Sequence, residues 1–267
     1  MNNNTFNQLV QTKYGQMLVN KNDTFIGKSL IKYGQISSDE SLLYEQICTD
    51  GDVVVEAGAN IGTHSLAISK AIGDTGKLYC YEPQRIVFQT LNANLALNSL
   101  TNTTTYQAGV GEKESFVNIP EFDYNHNGNY GGISITNYQE GTKTKVYSID
   151  SHLNLQQLKL LKIDVEGMEI DVIKGAKQTI ERLRPIIYCE NDRRELSSTL
   201  IELLWSLSYD LYWHLPPLFN TENFNKDNEN IFKNLVSVNM LCIPKESTLV
   251  IQNFKKITSS TEFPLKK

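Results

Sequence analysis

Hydrophobic positions along this chain change period repeatedly, and the changes outline alternating strands and helices. Asp52-Val-Val-Val55 has the unbroken apolar character of a strand buried on both faces, as in a parallel sheet. Glu56, Gly58 and Gly62 follow where that strand must turn into a helix, predicted over Thr63 to Ile72 with Gly73 as its stop. A second strand, Lys77 to Glu82, ends in an acid, and Phe88, Leu91 and Leu95 give one apolar face to a helix from Val87 to Leu97. Strands are predicted at Thr104–Gly109, Ser115–Ile119, Lys145–Ile149 and, deeply buried, at Leu158–Asp164. Ile173, Ala176, Ile180 and Leu183 recur at helical spacing across Glu169–Leu183. Pro185 then opens a strand at Ile186–Glu190, and a helix at Ser198–Leu207 leads to strands at Tyr209–Trp213 and Val236–Ile243.

The ends follow other patterns. Residues 1–36 hold short runs such as Gln16–Val19 and Thr24–Ile26 between turn residues, which predicts a small β element. Ser37-x-x-Glu40 has capping-box spacing and opens a helix through Cys48. Residues 120–145, rich in Asn, Gly and Asp, make a loop too long for a simple connector, and loops of that length in compact domains often serve function. The expected organisation is a β/α cap at 1–48, one catalytic domain at 49–246 and a polar, frayed tail at 247–267. The fold class that follows is α/β: a doubly wound, mostly parallel sheet of about seven strands, antiparallel at its C-terminal side.

At 267 residues there is room for one generous α/β domain and little more. A formal net charge of −5 counts against a general nucleic-acid groove. No apolar run has the length of a membrane span, and residues 1–20 are polar. The four cysteines are widely spaced, with Cys80 and Cys189 inside apolar strands, so reduced core thiols and a cytoplasmic location are expected.

Strand, glycine loop, helix, strand and acid is the layout of a nucleoside-binding half-sheet. A dinucleotide site wants G-x-G-x-x-G, a spacing that Gly58 and Gly62 do not meet, and Glu56 would repel a pyrophosphate. Glu56 suits the ammonium of a methionine moiety, and Glu82 suits both ribose hydroxyls, so the loop favours S-adenosylmethionine (SAM). Ligands in such sheets sit beyond the carboxyl ends of the strands where strand order reverses, which should bring Glu56, Asp164 and Glu190 to one crevice.

The segments Gly51 to Gly62, Tyr81-Glu-Pro83, Lys162 to Glu169 and Arg184-Pro-Ile-Ile187 together resemble the FkbM family of SAM-dependent methyltransferases, up to about residue 246. That resemblance implies a class I, Rossmann-like methyltransferase fold, with Glu56 standing where the family has Asp. It implies Glu56, Gly58, Asn60, Gly62, Glu82, Pro83 and Asp164 as the SAM-binding residues. The implied activity is O-methylation of a sugar, glycan or other hydroxyl-bearing acceptor. A polyketide-type acceptor is the alternative, and an inactive SAM-binding interaction module the rival of another class.

An aliphatic hydroxyl must lose its proton as it is methylated. One route is a general base, for which His214, His126 and Glu166 are candidates beside Asp164. The other is a divalent cation such as Mg²⁺. Asp164 with Glu190 and Asn191 is similar to the Asp plus Asp-Asn set of catechol O-methyltransferase, with Glu replacing one Asp. Tyr130 and Asn129 are placed in the long loop, Trp213, His214 and Phe219 suit an aromatic wall, and His64 is expected on a helix surface.

Overall fold

The computed structural model describes residues 5–134 and 138–265. Residues 1–4 of the expected cap, 135–137 of the long loop and 266–267 of the expected tail lie outside the described residues. The chain opens with a hairpin, β1 (Asn7–Thr12) and β2 (Gly15–Asn20), and helices α1 (Ile26–Tyr33) and α2 (Ser38–Ile47). The alternating part runs β3 (Val53–Ala57), α3 (Thr63–Ala71), β4 (Lys77–Tyr81), α4 (Arg85–Leu97) and β5 (Thr103–Tyr106). Next come β6 (Gly109–Val110), β7 (Ser115–Ile119), β8 (Thr142–Tyr147) and α5 (Ile149–His152). The second half contains β9 (Leu160–Ile163), α6 (Glu169–Gly175), α7 (Lys177–Leu183), β10 (Ile186–Glu190) and α8 (Arg194–Ser206). Strands β11 (Tyr209–His214), β12 (Asn239–Pro244) and β13 (Lys255–Lys256) end it.

The central sheet has eight strands in the order β13-β11-β12-β10-β9-β3-β4-β5. Strands β5, β4, β3, β9 and β10 are parallel, while β12 pairs antiparallel with β10 and β11. This is the class I methyltransferase fold, with the two-residue β13 added at one edge. Every residue of β3 and β9 is buried, because helices cover both faces of the sheet. Val53, Val55 and Ala57 pack with Ile173, Ile180 and Leu204 on one side. Val54 points the other way, onto Leu66, Leu78 and Leu91, and the hairpin's Met17 and Val19 close that face. Strand order reverses between β3 and β9, so the carboxyl ends of those strands diverge into a crevice.

Five elements depart from the sequence pattern. Thr24–Ile26 is the approach to α1, because Asp23 Oδ1 accepts the N–H groups of Phe25 (3.0 Å) and Gly27 (2.9 Å) and starts a helix that stops at Gly34, φ +68°. The strands expected around Ser115–Ile119 and Lys145–Ile149 leave the main sheet and form a separate three-stranded one, β6-β8-β7. The helix expected over Glu169–Leu183 breaks at Ala176, where the Asp150 carboxylate accepts the N–H groups of Gln178 and Thr179 at 2.8 Å and caps a new helix, α7. The expected tail contributes β13, Ile257 to the core and Phe263 to a contact with Trp213. All four cysteines are free and buried, and among the described residues no helix is long and apolar enough to cross a membrane.

Candidate functional site

The loop after β3 is shaped by backbone conformations that glycine tolerates best. Gly58 and Gly62 have φ of +83° and +88°, and a Cβ on Gly58 would meet the Asp164 carbonyl oxygen at 1.8 Å. The loop is hung from the end of β4: the Gly58 and Ala59 N–H groups donate to the Tyr81 carbonyl at 3.0 and 2.9 Å. Glu82, 4% exposed, accepts the Asn60 N–H at 3.1 Å and the Gln84 N–H at 2.8 Å. Burial raises its pKa to about 7, although both hydrogen bonds favour the charged form.

Beneath the loop lies a buried ion pair. Lys162 Nζ stands 3.4 Å from Glu56 Oε1 and 3.5 Å from Asp164 Oδ2. Burial opposes the ammonium charge, but Asp164, Glu56 and Glu40 outweigh it and hold the Lys162 pKa above its ordinary value. The other Glu56 oxygen accepts the Ser65 hydroxyl at 2.5 Å. Glu56 therefore braces Lys162 and α3, while the Asp164 side chain, 42% exposed, is the more open acid.

Two recesses meet at Gly58, Glu82, Gly131 and Asp164. The first, of about 440 Å³, is walled by Pro83, Ala108, Val110, Val165, Glu166 and Met168. The second, of about 670 Å³, is lined by Glu40, Glu56, Asn60, His64, Lys162 and Glu190, with Asn239 at its edge. The long loop passes between them, with Gly131 so near Asn60 that a Cβ would stand 2.5 Å from its Nδ2.

The crevice thus brings together Glu56, Gly58, Asn60, Glu82, Asp164 and Glu190, with Pro83 and Glu166 in the first recess. Gly62 shapes the turn into α3 and carries a Cβ direction facing Leu91. Asp164, Glu166 and Glu190 each offer one oxygen within 4.8 Å of the others and could hold a dication. Asn191, expected in that set, is instead buried with its Nδ2 3.2 Å from Met240 Sδ, because it leaves the strand toward β12. Glu166 takes its place, at φ +56° and paired with Arg193 at 2.9 Å. Its pKa rises to about 8, through burial first and then the negative charge of Asp164.

Neither expected histidine base reaches the crevice. His126 is exposed beside Asp123, 3.0 Å away. His214 is buried, with Nδ1 2.8 Å from the Tyr188 hydroxyl and its ring stacked on Phe254, and it lines a different pocket. Trp213 is a core residue and Phe219 packs on Tyr33, so no aromatic wall forms. Tyr130 holds its own loop closed, its hydroxyl donating to the carbonyls of Asp123 (2.8 Å) and His126 (2.5 Å).

Two crevice residues escape the sequence pattern. His64 is mostly covered rather than on a helix surface, its side chain 12% exposed and edge-on to Tyr44, and desolvation holds its pKa well below the ordinary value. Glu40 does not complete a capping box, since Ser37 makes no side-chain cap hydrogen bond. It turns inward, accepting hydrogen bonds from the Tyr188 hydroxyl at 3.2 Å and Asn239 Nδ2 at 3.1 Å. The signal was spacing: Glu40, Leu43, Tyr44 and Ile47 share one helix face, so an acid stands in the apolar stripe.

Residues 56–211 match the family model described as the methyltransferase FkbM domain. Methyltransferase 1 of Beauveria bassiana (strain ARSEF 2860) is 25% identical over 156 residues, covering 47% of this chain and 59% of that protein. Methyltransferase sdnD of Sordaria araneosa is 25% identical over 206 residues, covering 61% and 79%. The chain therefore spans less than two thirds of the first of these relatives. Among solved structures, Methyltransferase FkbM from Methylobacillus flagellatus KT matches with a TM-score of 0.48 and 19% identity, covering 72% of this chain and 43% of that one. A SAM-dependent O-methyltransferase from Thermotoga maritima matches with a TM-score of 0.49 and 13% identity, covering 89% and 77%.

Proposed function

Because this chain belongs to the FkbM methyltransferase family, we propose that it moves a methyl group from SAM to a hydroxyl of a sugar or glycan. The observation that carries the reading is the pair of recesses meeting at Glu82 and Asp164. That shape fits the donor. The apolar wall of Ala108, Val110 and Met168 suits an adenine ring, and Glu82 stands between the recesses where ribose hydroxyls would lie. Asp164 and the buried acids of the second recess favour a cationic group there, and the start of α3 favours a carboxylate.

Bound SAM would supply an electrophilic methyl group on a sulfonium. The chain's part is to align the acceptor oxygen, exclude water and receive the acceptor's proton, and alignment alone can supply much of the acceleration. Asp164, Glu190, Ser237 and Asn239 offer the second recess several hydrogen-bonding groups, which favours a hydroxyl-rich acceptor. A polyketide-type alcohol is the second reading, favoured by a largely apolar recess of about 380 Å³ lined by Phe6, Ile26, Ile61, Val87 and Tyr124.

Calorimetry with SAM and S-adenosylhomocysteine tests the donor, and absence of binding by both would overturn the methyltransferase reading. Labelled-methyl transfer to a panel of methyl hexosides and of macrolactone alcohols tests the acceptor class. Label in the hexosides is the expected result; label only in the lactones supports the second reading. Tight SAM binding with no turnover on either set would leave an inactive binding module as the better account.

A further inference from the structure

A line of buried polar side chains leads out of the acid-lined recess to a separate pocket. Glu40 lines the recess, and its Oε1 accepts the Tyr188 hydroxyl at 3.2 Å. Tyr188 lies 2.8 Å from His214 Nδ1, and His214 lines a pocket of about 980 Å³ with Asp39, Gln46 and Phe254. Glu40, Tyr188 and His214 are 7%, 2% and 7% exposed, and they come from α2, β10 and β11. Three elements far apart in sequence thus align donors and acceptors in a part of the fold where unpaired polar groups are costly.

The other recess acids are committed elsewhere. Glu56 is held by Lys162 and Ser65, Glu82 by two backbone N–H groups, and Asp164 stands beside Lys162. Glu40 Oε2 stands 3.9 Å from His64 Nε2, a buried nitrogen with no hydrogen-bond partner among the described residues, and the Ser37 hydroxyl is a further polar group at the Glu40 carboxyl. We propose that Glu40 takes the proton lost by the acceptor hydroxyl and that Tyr188 and His214 conduct it to the second pocket. This assignment rests on the O-methyl transfer proposed above.

The step balances without a co-reactant. As the oxygen–methyl bond forms and the sulfur–methyl bond breaks, the O–H electron pair stays on oxygen and the proton passes to the Glu40 carboxylate. After the carboxyl turns to bring that proton to Oε1, Glu40 gives it to the Tyr188 oxygen while the Tyr188 proton moves to His214 Nδ1. The resulting imidazolium releases its Nε2 proton to water in the second pocket, which restores the charge of every group and leaves the Nδ1–H tautomer; exchange of the imidazole protons with that water resets the relay.

The surroundings agree with this role. The groups facing Glu40 are Tyr44 on its own helix, His64 on α3, Glu56 on β3, Lys162 on β9, Asp164 just after that strand, and Tyr188 on β10. Burial raises the Glu40 pKa to about 7 against the pull of Lys162, so the carboxyl can both accept and release a proton near neutrality. Burial lowers that of His214 to about 4 despite Asp39, so a proton arriving there is passed on.

Difference infrared spectroscopy of the full chain saturated with SAM tests the relay without any acceptor. Of the carboxyl absorption titrating near neutral pH, to which Glu82 and Glu166 also contribute, one component should vanish in E40Q and shift its midpoint in Y188F. Single-turnover methylation of the fastest-reacting alcohol of the panel should fall about 100-fold in E40Q, with SAM affinity within about threefold of wild type, and E40D should recover part of the loss. H214Q should slow turnover and alter the pH profile, which a purely structural histidine would not do. Full turnover in E40Q, or a carboxyl band and pH profile unmoved by Y188F and H214Q, would overturn the relay. Y188F, which deletes one oxygen, decides the matter should E40Q fold poorly. Failure of the wild type to bind SAM would count instead against the methyltransferase reading.

Discussion

Residue 58 and the carbonyl oxygen of Asp164 are in backbone contact, since a Cβ on Gly58 would lie 1.8 Å from that oxygen. The φ of +83° adds strain for any L side chain. Gly58→Ala should therefore destabilise the fold by about 1–3 kcal/mol through backbone strain, and displacement of the β9 turn should weaken SAM binding as well. Urea denaturation and calorimetry measure the two effects. An unchanged midpoint and affinity would mean that the loop and the turn do not touch.

Glu82 supports a prediction in pH. Its pKa is raised by burial to about 7, so the proton it holds in the folded chain is lost as pH rises through 7. Its contribution to stability is present below the ordinary glutamate value and fades as pH rises through about 7. Ribose hydroxyls donate best to the ionised carboxylate, so SAM affinity should rise from pH 6 to pH 8, with proton release on binding. Calorimetry in buffers of different ionisation enthalpy reads that release. Glu82→Ala should lose about 1–3 kcal/mol of SAM affinity and flatten the pH dependence. A flat wild-type profile would remove the role.

Lys162 and Glu56 are 2% and 1% exposed at the side chain and face each other at 3.4 Å. Removing one partner of a buried pair leaves the other uncompensated. Lys162→Met should cost about 3–5 kcal/mol. The double variant E56Q/K162M should recover part of that loss, since Glu56 is then no longer a buried charge without its partner. Thermal unfolding of wild type, E56Q, K162M and the double variant closes the cycle, and additive losses would show that the pair is not coupled.

The proposed donor half of the site was far more legible in the sequence than the proposed acceptor half. Val53–Val55, Gly58, Gly62 and Glu82 are neighbours along one strand–turn–helix–strand unit, so local spacing carried the geometry. Asp164 and Glu190 were reachable through the rule for strand ends at a sheet reversal. Glu40 was not, because its spacing to Ser37 fits a helix cap as well as an inward acid, and Tyr188 and Asn239 decide between them from far along the chain. His214 was misplaced for a related reason. Period-2 alternation gives its sheet face, but not that Phe254 and Tyr188 cover it there. The break at Ala176 likewise depends on Asp150, a cap supplied from outside the helical window.

The three acids Asp164, Glu166 and Glu190 give the last prediction, which separates two ways of balancing their charge. Glu190 Oε2 is buried without a hydrogen-bond partner, and burial followed by repulsion from Asp164 and Glu166 holds its pKa well above the ordinary value. A carboxyl raised in this way stabilises the fold while protonated and destabilises it once charged. Wild-type stability should therefore fall as pH rises above the ordinary glutamate range, and Glu190→Gln should raise the melting temperature at alkaline pH and flatten that slope. Arg193, 2.9 Å from Glu166, already supplies one positive charge at the cluster, and a sulfonium in the crevice would add another. Methyl transfer should accordingly persist in excess EDTA. A dication held by the three carboxylates would reverse both outcomes: EDTA would abolish turnover until Mg²⁺ was restored, and Glu190→Gln would lower the melting temperature in Mg²⁺ by removing a ligand.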